Sequence, residues 1–154
     1  MNAHCWRLTY FALALVSAEP YQAMAQERKI SCDQVPSVVR SAFTKAFPKA
    51  VINECATELE KGKTAYEISS REGEIGRDVL FYPDGTLIVV EERIAAGDAP
   101  DPVQQAVRQA FPGGEIELAE KVTRGASLLY EFRLKHQGKQ IEVVLDPSGN
   151  IVKK

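Results

Sequence analysis

The chain has 154 residues, 45% hydrophobic and 26% charged, which is the composition of an ordinary folded protein and excludes a low-complexity or coiled-coil architecture. Its formal net charge of −2 provides no basic footprint for nucleic acid or an anionic membrane surface.

Residues 1–25 differ from the rest. Arg7 precedes a largely apolar run, Leu8 to Ala18, and Ala23-Met24-Ala25 places small residues where a signal peptidase reads them. The run is too short for a stable bilayer span, so a cleaved signal peptide is expected and an uncleaved anchor is the competing reading. Cleavage leaves 18 Lys and Arg against 20 Asp and Glu, with the net charge still −2. The expected address is periplasmic or secreted, with no membrane attachment after cleavage. Cys32 and Cys55 are then the two cysteines left, and an even count in an exported chain points to a disulfide. A helix rising from Ser37 and a strand descending after Pro48 bring Cys55 back toward Cys32. Two free thiols are the alternative.

Residues 26–34 read as a short polar arm. From Pro36 to Val90 the chain then sets out a pattern that it repeats at a constant offset of 64 residues. Phe47-Pro48, Tyr66-Glu67, Pro83 and Gly85 return as Phe111-Pro112, Tyr130-Glu131, Pro147 and Gly149. Each copy opens with a helix. In the first, Ser37 is the expected N-cap, and Val38, Val39, Ala42, Phe43, Ala46 and Phe47 form an apolar face ended by Pro48. In the second, Asp101 is the expected N-cap, with Pro102 behind it and Gln104 closing a capping box.

Four strands are expected after each helix, at 51–60, 64–71, 77–82 and 86–93, then 115–124, 127–135, 139–145 and 150–154. Gly62, Gly73 with Gly76, Pro83-Asp84-Gly85, Gly125, Gly138 and Pro147-Ser148-Gly149 mark the turns. Strict alternation along Leu128–Lys135 predicts one face on the helix and the other outward. The first strand is irregular: Ile52, Glu54, Ala56 and Glu58 share a parity that should be apolar, so a bulge or register shift is expected there. The fold class is α+β, two tandem repeats of one helix packed on a four-stranded antiparallel meander. The repeats are assigned to 35–94 and 101–154, joined by a linker at 95–100.

No nucleophile motif, phosphate loop or metal-ligand spacing is present, so no catalytic residue, metal or cofactor is assigned. His136, in a turn, reads as solvated. Glu91, Glu92, Glu115, Glu117 and Glu120 read as solvated strand edges. The less ordinary feature is the outer sheet face. Leu80, Tyr82, Ile88 and Val90 have the parity opposite to the expected core residues Val79, Phe81, Leu87 and Val89. With Glu67, Glu131 and Arg133 among them, these residues describe a mixed apolar and charged surface suited to recognition. A second core layer or a dimer interface would use the same pattern.

The unit Val35-Pro36, Val39, Ala42-Phe43, Phe47-Pro48 and Ala50, with Tyr66-Glu67-Ile68 and Phe81-Tyr82-Pro83-Asp84-Gly85-Thr86-Leu87, resembles a PepSY-like domain. The tandem form is similar to the exported β-lactamase-inhibitor-like family. That resemblance implies a non-enzymatic binding or inhibitory role outside the cytoplasm, with a protein or peptide recognised through the outer sheet face. Inhibition or regulation of an envelope hydrolase is one form of such a role, and no target carries over to these residues. The second copy departs from the motif at Leu145-Asp146 and Ser148. The alternative function is an envelope sensor for a small ligand or ion, which a cavity between helix and sheet would favour.

Overall fold

The structure is a computed structural model that describes residues 27–152. The signal segment expected at 1–25 lies outside the described residues. The fold is α+β, with two α-helices and one nine-stranded antiparallel sheet in which the strands lie in chain order. The first strand, β1 (Arg28–Ile30), pairs with β2 (Val51–Glu60), so the stretch expected as an arm supplies an edge strand. Helix α1 (Ser37–Ala46) precedes β2, and β3 (Lys63–Glu72), β4 (Ile75–Phe81) and β5 (Leu87–Arg93) follow. Helix α2 (Asp101–Ala110) precedes β6 (Glu115–Arg124), β7 (Ser127–His136), β8 (Lys139–Leu145) and β9 (Ile151–Val152). Pairing of β5 with β6 through Val90–Arg93 and Glu120–Thr123 makes the two halves one sheet.

Both helices start one residue earlier than their capping signals suggest. Pro36 and Pro100 flank them, Ser37 and Asp101 are already helical, and neither start has a side-chain cap bond. Gln104 turns back instead and donates to the carbonyls of Gly97 and Ala99, tying the linker to the helix. Each helix ends on its Phe-Pro dipeptide, as the restriction before proline requires: Phe47 and Phe111 have φ −132 and donate to the carbonyls of Phe43 and Val107. The turns after β4 and β8 return to the helix starts. Gly85 and Gly149 both have φ +85, and a Cβ at Gly149 would come 2.5 Å from the Pro102 carbonyl oxygen. Only glycine meets both demands.

Each helix covers one core on the same side of the sheet. Val35, Val39, Phe43, Cys55, Ile68, Val79 and Phe81 form the first, and Ala99, Val103, Val107, Ala119, Tyr130, Phe132, Leu134, Val143 and Leu145 the second. The Cys32–Cys55 disulfide, Cα atoms 5.2 Å apart, fastens the chain ahead of α1 to β2.

The irregularity expected in β2 is a bulge. Pairing with β3 steps from Ile52 to Glu54, leaving Asn53 as the extra residue, and β6 does the same between Ile116 and Leu118. Beyond Asn53 the parity inverts, so Cys55 packs under α1 while Ala56, Glu58 and Glu60 turn to the other face.

Candidate functional site

The sheet face opposite the helices is concave. Glu60 ends β2 and Arg124 ends β6, four strands away, which is about 19 Å across a flat sheet. Yet the Arg124 guanidinium donates to Glu60 Oε1 at 2.8 Å. Two side chains cannot bridge a flat sheet over that distance, so the sheet curls and draws this face in. The two residues occupy equivalent positions in the repeats, and their opposite charges make the closure possible. Ala65, Leu80, Ile88, Val89 and Val122 pack together inside the curve, with Tyr82 and Leu129 against them. This is a second apolar layer, built from both repeats.

The expected recognition residues divide here. Leu80 and Ile88 do lie on the concave face, but they are only 4% and 7% exposed and form its wall. Tyr82 is half-buried at the rim of this layer, with the Lys63 ammonium 5.9 Å from its ring centroid. The placement of Val90 needs correcting. It packs in the helix-side core, while Val89, expected there, takes the concave face. The cause is a bulge in the β4–β5 ladder, where pairing steps from Leu80–Val89 to Phe81–Leu87. Two consecutive residues, Ile88 and Val89, then face the same way. Leu87, also expected in the core, is 48% exposed.

Carboxylates surround the apolar layer. Glu58, Glu67, Asp78 and Glu91 line a hollow of about 100 Å³ together with Leu80, Val89 and Arg124. Removal from water pushes the Glu67 carboxyl up to about 7, with the Asp78 charge the next cause and Glu27, Glu58 and Glu91 adding to it. Burial and the neighbouring Glu60 also raise Glu58. In the second repeat Glu120 sits opposite Glu131 and is 5% exposed, so it is no solvated edge residue. Burial raises its pKa first, then Glu131 and Asp78, against the lowering pull of Arg93 and Arg133. Glu131 and Arg133 thus act on Glu120 and not on Glu67; Asp78 is the neighbour that raises both Glu67 and Glu120. Arg133 is exposed and stands opposite Glu142.

Sequence reasoning missed Glu58, Asp78 and Glu120 because the β2 bulge reverses the parity of Glu58, and a lone strand carboxylate reads as solvated. It also missed Arg77, which is 7% exposed on the helix side. Arg77 donates to Glu92 Oε2 at 2.9 Å and lies 4.5 Å from the Phe47 ring centroid. Glu92 accepts from Lys121 as well, at 2.8 Å, so it is a paired structural carboxylate held low by its two cations despite some burial. Among the described residues, no group of three or more His, Cys, Asp or Glu is placed to hold a metal ion. His136 lies edge-on to Phe111, centroids 5.9 Å apart.

Residues 22–89 and 71–153 match the family described as "Putative beta-lactamase-inhibitor-like, PepSY-like". No curated protein sequence matches the chain. Among solved structures, one described as "putative periplasmic proteins" from Bacteroides eggerthii is similar, with TM-score 0.68 and 17% identity over 77% of this chain and 86% of the other. A BLIP-like protein from Bacteroides fragilis has TM-score 0.62 and 16% identity over 77% of this chain and 84% of that one. At such identities the likeness speaks for the fold. No helix among the described residues is long and apolar enough to cross a membrane.

Proposed function

The chain belongs to the PepSY-like, beta-lactamase-inhibitor-like family, and from that premise we propose an exported, non-enzymatic binding module that recognises a protein or peptide in the cell envelope. Its contact surface is the concave sheet face. The observation that carries this reading is the acid-lined hollow beside a half-buried tyrosine, set in a sheet whose curvature can enclose a convex partner. Tyrosine suits such a place, because it buries a rigid ring while its hydroxyl keeps a hydrogen bond. The carboxylates favour a partner that presents a lysine or arginine side chain to the hollow. An envelope hydrolase is the partner class to test first, in keeping with the inhibitor-like family.

The test is capture of envelope proteins by the mature chain, repeated with Tyr82→Ala and Asp78→Asn. The reading expects one partner to be retained by the native protein and lost with either substitution. A partner retained by both variants, but lost when Val38 on α1 is replaced by Glu, would place recognition on the helix side and overturn the reading.

A further inference from the structure

The two repeats differ where each helix ends on the sheet, and the difference opens a cavity in the second. In the first repeat the Phe43 ring is 1% exposed and lies 5.4 Å from the Phe47 ring, centroid to centroid. At the corresponding position Val107 stands for Phe43; where Ala50 has its methyl the second repeat has Gly114, and Leu134 fills that space, its Cδ1 2.9 Å from where the Cβ would lie. Leu134 replaces Ser70 and returns only part of the lost volume, for a cavity of about 320 Å³ remains under the end of α2. Val107, Phe111, Ile116 and Leu134 provide its apolar lining. Arg108 is the one charged residue among those lining it, and its hydrogen bond among the described residues goes to the neutral Gln104 side chain.

We propose that this cavity binds a small single-ring aromatic anion, with the ring seated on Phe111 as Phe43 sits on Phe47, and the anionic group beside Arg108. The first repeat packs the Phe43 ring against the phenylalanine that ends its helix; in the second, Phe111 meets the His136 ring edge-on, and Val107 leaves the place of Phe43 without a ring. The size agrees, since an apolar cavity of roughly 150 Å³ already accepts benzene, and small-ligand pockets begin near 300 Å³. The end of α2 carries about half a negative charge, which disfavours an anion, but the Arg108 guanidinium carries a full positive one. The site is on the helix side of the sheet and does not depend on the partner proposed for the concave face.

Phenylacetate is the probe, followed by methyl chemical shifts of Val107 and Leu134 in the mature protein. Benzyl alcohol and hexanoate serve as the ring without the charge and the charge without the ring. Half-saturation by phenylacetate below about 1 mM is expected, with each control at least about fivefold weaker. Val107→Phe, which restores the residue of the first repeat, should raise the half-saturation point at least about tenfold by filling the cavity. Because that change could disturb folding, Arg108→Gln on the helix surface provides a second arm. It should weaken phenylacetate about fivefold and leave benzyl alcohol unchanged. No saturation by about 10 mM, hexanoate equal to phenylacetate, or undiminished binding by folded Val107→Phe would each overturn the proposal. So would an Arg108→Gln variant that binds phenylacetate as the native protein does.

Discussion

Phe81 and Tyr82 are chain neighbours with opposite duties. Phe81 is 1% exposed under α1, while Tyr82 stands half-buried beside the concave apolar layer. Phe81→Ala is expected to cost about 3 kcal/mol or more of stability, read by urea unfolding, as a core truncation does. Tyr82→Ala should leave stability within about 1 kcal/mol and weaken partner binding by about 2 kcal/mol, read by titration calorimetry. The reverse pair of outcomes would mean that the proposed contact face is core. Glu67 brings a dependence on pH. Its folded-state pKa is raised to about 7, above its ordinary value of 4.5, so the folded protein holds this proton more tightly than the unfolded chain. Stability from Glu67 is therefore fully present below about pH 4.5 and is lost as pH rises through 7. Discounted for its partial exposure, the loss is about 1–2 kcal/mol. Glu67→Gln should flatten that part of a pH–stability curve, and an unchanged slope would show that other groups cause it. Binding of a basic partner has the opposite sense, weakening as the carboxylate is protonated below pH 7.

At the scale of the elements, the repeats keep their helix stops and turns but anchor their ends differently. The disulfide holds the first repeat's α1 and β2 at their open end and spans 23 residues, a loop worth about 3 kcal/mol in the chain-entropy account. Ala119 stands opposite Cys55 in the second repeat. Reduction should lower the unfolding free energy by about that amount, measured by denaturation with and without dithiothreitol. At the other end of α1, Arg77 packs on Phe47 and binds Glu92, where the second repeat has Ile141. Removing the cation leaves Glu92 with Lys121 alone, so Arg77→Ala should cost about 3 kcal/mol. A smaller loss than about 1 kcal/mol would show that Lys121 and water replace it.

For the whole molecule, the consequence of one sheet is cooperativity. β5 pairs with β6, Glu60 reaches Arg124, and Val122 and Leu129 of the second half complete the apolar layer around Leu80, Ile88 and Val89 of the first. Neither half can open without exposing that layer to water. Equilibrium unfolding should therefore be a single transition, with coincident urea curves from backbone circular dichroism and from tyrosine absorbance. Two separated curves would show that the halves are held together only at the β5–β6 seam.

The residues alone determined the repeat, its helices and its turns, and pointed to the Cys32–Cys55 bridge, which the structure decided against two free thiols. These follow from local chemistry: proline stops a helix, glycine permits a turn, and a 64-residue offset needs no structure to be seen. The alternation of Tyr130, Phe132 and Leu134 likewise settled one face of β7, because nothing interrupts that strand. Tertiary structure decided what alternation could not carry through. The extra residue at Asn53 moved Glu58 to the concave face, and the β4–β5 bulge exchanged Val89 with Val90. A bulge is set by how two strands share their hydrogen bonds, so one strand's residues do not reveal its place. Curvature is less local still. It turned the outward face of each repeat into a shared hollow and buried Leu80, while the β3–β4 register set Asp78 beside Glu67 and raised a carboxyl that the sequence shows only as an ordinary strand charge.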